Sequence, residues 1–369
     1  MKTIIAVPDF TRTAHLKKIL PPLIKKLGKH GIKLKDTEIL IATGLHRAPT
    51  KKEMQYNLGL ICNKVKVSSH NYKDSHVSYF GKSKNGVPIY LNKKLKNADS
   101  IITVGVVEPH LYAGYSGGIK AVSIGLAGVK TINFTHHPRF LDKATVKLCL
   151  IKNNPFRDFI DDIARILPIN YSINIVNDKK GRLIKVFEGD PKRSFDKAVV
   201  YSKNIFEKKL RAFYDVIICD VPKSKGSNIY QASRIFNYIL DSKNPPVNKN
   251  PLILVKAGLE EGFGKGLGEK RFQDKMLKLK DPSKLISLIK KRGCLGGEHR
   301  AYMASKALQK GKLGFISKNS HLYKDKDLPF LFFKSAKEAK RYIDRAIKKY
   351  PRIYYLQNAF TTILVKSPY

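Results

Sequence analysis

Residues 108–120 read Glu108-Pro109-His110-Leu111-Tyr112-Ala113-Gly114-Tyr115-Ser116-Gly117-Gly118-Ile119-Lys120, directly after the apolar run 101–107. A strand running into a loop would carry a histidine, a glycine cluster and a lysine together. His110 can move protons near neutral pH, the glycines admit close backbone approach, and Lys120 can carry charge or a covalent link. Ser116-Gly117-Gly118 matches neither the P-loop nor the dinucleotide fingerprint. It opens an expected helix, though, and is a candidate anion or cofactor contact.

Other polar residues fall at comparable places. Asp9-Phe10-Thr11-Arg12 follows the apolar segment 2–7, and Thr43-Gly44-Leu45-His46-Arg47 follows the segment 38–42. Arg12 suits a bidentate grip on a carboxylate or phosphate, or a salt bridge with Asp9. His46 and His110 could face one carbon from opposite sides, as a racemase or epimerase requires. With His136 of the His136-His137 pair they could instead ligate a catalytic zinc. The spacing leaves both readings open. Farther on, Tyr230-Gln231-Ala232-Ser233-Arg234 begins an expected helix, and Gln231 and Arg234 share a face of it.

The elements that would position these groups alternate. Strands are expected at 2–7, 38–42, 64–68 and 100–107, and a hairpin at 77–80 and 87–90 around Lys84-Asn85-Gly86. Helices are expected at 15–27, with a kink or late start at Pro21-Pro22, at 50–54, where Thr50 and Glu53 make a capping box, and near 91–97. This alternation predicts an α/β fold with mostly parallel sheets, whose ligands bind beyond the carboxyl ends of the strands. Asp9 with Arg12, His46 and His110 would then converge on one sheet edge.

The second half repeats the pattern. A boundary is expected between 204 and 213, giving an N-terminal domain of 1–208 and a second α/β domain of 209–349. The tail 350–369 is expected to rejoin the first. Within the second half the expected elements are strands at 215–220 and 252–255, a helix at 228–240, a glycine-rich stretch at 258–268, helices around Met276 and Met303, a basic helix at 336–348, and strand-like segments at 353–356 and 362–365.

Composition narrows the class. The chain has 369 residues, more than one typical core holds, and a formal charge of +42. The lysines are spread along its length without an arginine-rich arm or RNA-binding signature, so a lysine-rich surface is expected rather than a nucleic-acid site. Cys62, Cys149, Cys219 and Cys294 are scattered, which argues against a disulfide framework or a Cys-x-x-Cys metal site. No apolar run is long enough to span a bilayer, and neither a signal peptide nor an anchor is expected. The expected compartment is the cytoplasm.

Taken together, the segments 9–12, 42–47, 108–120 with Gly128, and 228–232 resemble the nickel-dependent lactate racemase family in order and approximate spacing. The resemblance implies two α/β domains with the active site in a cleft between them. It also implies nickel and a nickel-pincer cofactor, a pyridinium-dithiocarboxylic acid mononucleotide attached to Lys120. His136 takes the place of the nickel-ligating histidine, and His46 and His110 those of the acid/base pair. Asp9, Thr11, Arg12, Ser116, Gly117 and Gly118 fall around the cofactor, and Arg12, Tyr230, Gln231 and Arg234 around the substrate. The implied activity is racemisation of a small 2-hydroxy acid through a 2-keto acid, served by cofactor-synthesis and nickel-insertion proteins. The chain departs from the family pattern at Arg234, where Lys is usual, at Ile124-Gly125 in place of Pro-Gly, at residues 220–223, and in having no Trp.

Overall fold

The computed structural model describes residues 1–9, 11–295, 297–347 and 349–367. Phe10 of the Asp9–Arg12 segment and Lys348 at the end of the expected basic helix lie outside the described residues. The chain divides into two compact units. One comprises Met1–Thr135, Lys143–Val146 and Leu150–Ile205; the other comprises His136–Asp142, Lys147–Cys149 and Phe206–Tyr369.

The first unit is built on a six-stranded sheet. Its order is Leu183–Gly189, Ile169–Asn177, Ser100–Val106, Thr3–Pro8, Thr37–Ala42, Lys66–Ser69. All neighbours are parallel except the first pair, which is antiparallel. The strands Ser100–Val106 and Thr37–Ala42 are buried at every position, as strands covered on both faces must be. Ile5, Val7, Leu20, Ile39, Val104 and Ile175 join one core beneath the helix Leu16–Lys29. Strand order reverses between Thr3–Pro8 and Ser100–Val106. Their carboxyl ends, at Pro8 and Val106, therefore flank a topological switch point, where open α/β sheets bind ligands.

The second unit carries a five-stranded, all-parallel sheet in the order Leu331–Phe333, Lys312–Ile316, Val247–Lys256, Tyr214–Asp220, Ile353–Leu356. Val216, Leu252, Leu254, Ile316 and Ile343 are part of its core. The mostly parallel α/β class is as expected. Among the described residues no helix is long and apolar enough to cross a membrane.

Several local expectations are revised. The helix Leu16–Lys29 runs through Pro21 and Pro22 instead of kinking or starting late. Both prolines are exposed, as are Lys17 and Lys18, whose carbonyls the missing amides would have met, so the helix passes them on its solvent face. Residues 93–97 form a 3-10 turn rather than a helix, following a strand at Pro88–Asn92. The single helix expected at 228–240 is two, Ile229–Ala232 and Arg234–Leu240. In the tail, Ile353–Leu356 pairs with Tyr214–Asp220, and Ile363–Lys366 pairs with Glu207–Leu210, a strand that spans the expected boundary at 208. Thr50 does cap Lys51–Leu58 in a capping box with Glu53.

Candidate functional site

Three loops leave the sheet of the first unit at the switch-point edge. The loop after Thr3–Pro8 delivers Asp9, Thr11 and Arg12. Asp9 is buried, and its Oδ1 accepts from the Thr11 amide at 3.1 Å and the Thr11 hydroxyl at 2.5 Å. Its Oδ2 faces His46 Nδ1 at 2.7 Å. Burial alone would raise the Asp9 carboxyl. The hydrogen bonds from His46 and Thr11 outweigh it and hold the group below its ordinary value, ionised at neutral pH. Arg12 pairs with Glu108 rather than with Asp9, a bridge across the switch point.

The loop after Thr37–Ala42 delivers His46. It turns at Gly44, whose φ of 56° favours glycine, and is tied by Gly44 N–H to Gly125 O at 2.8 Å and His46 N–H to Thr43 O at 2.9 Å. The His46 side chain is 61% exposed and the Asp9 side chain 5%. The dyad thus has one buried, fixed member and one that reaches solvent.

The loop after Ser100–Val106 delivers Glu108, His110 and Lys120. A two-residue antiparallel bridge, Pro109–His110 with Gly114–Tyr115, folds it back on itself. Ser116 closes it: its hydroxyl donates to Val106 O at 2.6 Å and accepts from Glu108 N–H at 3.1 Å. That hydroxyl, expected among the cofactor contacts, is engaged by the loop's own backbone. His110 Nδ1 receives the amides of Tyr112 at 3.3 Å and Ala113 at 3.2 Å, and its ring lies against Tyr112 and Phe156.

The glycine pair has a packing role that its sequence did not reveal. A Cβ at Gly117 would meet the Phe195 ring at 2.7 Å, and one at Gly118 would meet Thr103 Oγ1 at 2.6 Å. Gly118 N–H is also taken, by Asn174 Oδ1 at 2.9 Å. These glycines let the short helix Gly118–Ser123 lie directly on the sheet, which sets Lys120 deep beside the loops. Lys120 keeps some exposed surface, yet burial, reinforced by the cations Arg12 and Arg157, brings its amine down from the usual 10.5 to about 7. Arg157, absent from the sequence reading, is buried on the helix Pro155–Ile166, held by Asp161 at 2.6 Å and set over the Phe195 ring at 4.3 Å.

In the second unit, His137 caps the helix Pro138–Leu141, its Nδ1 accepting from Arg139 N–H at 3.1 Å. His136 instead lies edge-on to His299, with ring centroids 5.7 Å apart. Burial first, and then the neighbouring His136, push His299 well below the ordinary histidine value. Asn228 caps Ile229–Ala232 by accepting from Gln231 N–H at 2.9 Å. Gln231 Oε1 accepts from Arg234 Nη1 at 3.1 Å, and that guanidinium sits over Phe360. Burial raises the Tyr230 phenol against the opposing pull of Arg300 and Arg234. Arg300 is only 3% exposed. His299 and Arg300 are functional candidates that sequence reasoning missed. Their segment, Glu298-His299-Arg300, carries no motif, and only folding sets it beside His136 and near Tyr230.

Among the described residues no group of three His, Cys, Asp or Glu side chains that could hold a metal ion is found.

Residues 1–147 match the family model of the lactate racemase N-terminal domain. The lactate racemase of Thermoanaerobacterium thermosaccharolyticum is 26% identical over 329 residues, covering 87% of this chain and 75% of that protein. The lactate racemase of Lactiplantibacillus plantarum is 27% identical over 269 residues, covering 71% of this chain and 61% of its own length. The solved apoprotein of the Thermoanaerobacterium lactate racemase superposes with a TM-score of 0.88 at 23% identity, covering 98% of this chain and 86% of that one. A Thermotoga maritima protein superposes at 0.70 with 15% identity, covering 99% and 94%. The two solved structures share the fold, and the two sequence relatives are isomerases by name.

Proposed function

We propose that the chain is a racemase or epimerase of a small 2-hydroxy acid, using a nickel-pincer nucleotide carried on Lys120. The observation that bears most weight is the Lys120 amine. It lies near 7 and within one unit with the His46–Asp9 dyad and His110. A lysine kept partly neutral at physiological pH suits acylation by a cofactor carboxyl or thiocarboxyl group, which an ordinary lysine resists. The lack of a protein-only ligand set among the described residues also fits. A metal held by a bound organic group needs one protein donor, and His136 is the residue assigned to that place.

When bound, the cofactor would supply a reversible hydride acceptor. The chain's own residues do the rest. Arg12, with its planar fork, is suited to the substrate carboxylate or the cofactor phosphate, and Glu108 holds it ready. His46 takes the hydroxyl proton at Nε2, and Asp9 stabilises the imidazolium that results. His110 is the residue assigned as the second member of the acid/base pair. In the second unit Tyr230, Gln231 and Arg234, with buried Arg300 nearby, form the group assigned to substrate recognition. A cytoplasmic location and dependence on cofactor-synthesis and nickel-insertion proteins follow from this reading.

The test uses protein produced together with the cofactor-synthesis proteins. Intact mass should show Lys120 modified and nickel bound. The loaded protein, given single-enantiomer 2-hydroxy acids in deuterium oxide, should racemise one of them while keeping hydrogen at C2. An unmodified Lys120 in nickel-free protein, or deuterium appearing at C2, would overturn the proposal.

A further inference from the structure

The sheet of the first unit has two unlike faces where Ser100–Val106 and Ile169–Asn177 run side by side. Alternate residues of a strand face opposite ways. Ile102, Val104, Val106, Ile173 and Ile175 join the apolar core beneath the helix Leu16–Lys29. The opposite face carries Thr103, Gly105, Ser172 and Asn174, and its three side chains are fully buried. Two hydroxyls and an amide there forgo the apolar burial that valine or isoleucine would give. Such a network persists where its polar atoms meet one another and specify one arrangement.

What it specifies is the seat of the helix Gly118–Ser123. That helix has six residues, too few to hold its shape alone, and its N-cap, Gly117, has no side chain with which to cap it. Asn174 supplies the missing acceptor from a strand distant in sequence: its Oδ1 takes Gly118 N–H at 2.9 Å. Its Nδ2 donates to Ser172 Oγ at 3.2 Å and Ser194 Oγ at 3.0 Å, and Thr103 Oγ1 donates to Ser172 Oγ at 2.8 Å. Ser194 lies on the helix Pro191–Phe206, and the next residue, Phe195, carries the ring that a Cβ at Gly117 would strike. One side-chain amide thus ties the short helix to a strand and to a second helix. A Cβ at Gly105 would lie 2.6 Å from the Gly117 backbone, so the sheet and the start of the helix already touch. Lys120 stands in the first turn of the helix seated in this way.

We propose that Asn174 is a positioning residue for Lys120: through Gly118 N–H it holds the short helix against the sheet and so keeps the lysine recessed where the cofactor is attached. The inference rests on the tethered-cofactor reading above. Without the amide, Gly118 N–H and the Ser194 hydroxyl lose their partner in a dry place, and the helix gains by lifting toward water. Lifting exposes Lys120 and relieves the burial that is the largest cause of its lowered amine. The charged groups that also act on the amine, Arg12, Arg157 and Asp9, stand on other elements and stay where they are. Acylation needs the neutral amine, so a lifted Lys120 is both displaced and less reactive at neutral pH.

Three variants test the assignment in protein lacking cofactor. Asn174→Leu keeps the size of the side chain and removes its hydrogen bonds. Trace acetic anhydride labelling should show the Lys120 midpoint raised by about one pH unit or more, which cuts the neutral fraction at pH 7 about fivefold. Amide hydrogen exchange should speed across residues 118–123 while the strand Ser100–Val106 stays protected. Ile173→Ala, on the opposite face of the same strand, controls for a general loss of stability and should leave the Lys120 midpoint in place. Ser194→Ala removes one partner of the amide and keeps the Gly118 bond. It should give a smaller shift in the same direction, and it decides the matter if Asn174→Leu does not fold. An unchanged midpoint in the folded variants, or an equal shift in Ile173→Ala, would overturn the proposal. In protein produced together with the cofactor-synthesis proteins, intact mass should show several-fold less modified Lys120 in Asn174→Leu than in native protein, and equal modification would likewise overturn it. If native protein produced in this way carries no modification, the functional reading fails, whereas labelling and exchange, taken without cofactor, still decide whether Asn174 seats Lys120.

Discussion

Lys120 offers a direct quantitative test that needs neither cofactor nor substrate. With its amine near 7, about half of Lys120 is neutral at pH 7, against roughly one in 3,000 for an unperturbed lysine. Competitive labelling of the apoprotein with trace acetic anhydride across pH 5 to 10, read by mass spectrometry of the Lys120 peptide, should give a midpoint near 7. Exposed lysines such as Lys51 and Lys52 serve as the internal comparison. Arg157→Met removes one like charge and should raise the midpoint, though not to the ordinary value, because burial is the larger cause. The same shift predicts a stability effect. The folded amine holds its proton less tightly than the unfolded one, so the unfolded chain binds more protons between about pH 7 and 10.5. Stability from this group is therefore complete above that window and is lost as pH falls through it, levelling off below 7. The upper bound is about 5 kcal/mol at about 1.4 kcal/mol per pH unit, and solvent reaching the amine reduces it to ~2 kcal/mol. Lys120→Met should accordingly gain stability over native protein at pH 7 and gain much less at pH 10, measured by denaturant unfolding. A Lys120 that labels in step with the surface lysines, together with a Lys120→Met difference that does not change with pH, would refute the reasoning.

Three further outcomes are expected. His70 is buried and engaged at both ring nitrogens, by Ala127 O at 3.0 Å and Asn92 Nδ2 at 3.1 Å, and burial brings it down to about 4. The unfolded chain takes up that proton first, so native protein should lose up to about 3 kcal/mol as pH falls from 6.5 to 4, and His70→Asn should flatten that slope in denaturant titrations. Gly105→Ala would place a methyl group 2.6–2.7 Å from the backbone of Gly117 and Gly118. It should cost ~2 kcal/mol or more by denaturant unfolding and raise the Lys120 labelling midpoint, because the loop must lift. Arg234→Lys keeps the cation but loses the planar fork over Phe360. In loaded enzyme it should raise KM for the hydroxy acid several-fold and leave kcat within about threefold, and a fall in kcat alone would count against a binding role.

The chain by itself determined the α/β class, the strands Thr3–Pro8, Thr37–Ala42 and Ser100–Val106, and the gathering of Asp9, Arg12, His46 and His110 at one sheet edge. These were legible because buried parallel strands are continuous apolar runs and their carboxyl ends must carry the polar loops. The Thr50–Glu53 capping box was legible for the same local reason. Partner choice was decided by the tertiary structure. Arg12 pairs with Glu108 and not Asp9, because the switch point sets the first and third loops side by side. Asp9 is left to orient His46. Gly117 and Gly118 proved to be close contacts with the sheet and with the helix Pro191–Phe206, since their neighbours Thr103, Asn174 and Phe195 lie elsewhere in the chain. Likewise Arg157, His299 and Arg300 acquire meaning only through side chains distant in sequence. Residue type and spacing told which groups could do chemistry; hydrogen-bond direction and burial, which only the folded chain supplies, decide what each nitrogen and carboxylate can do.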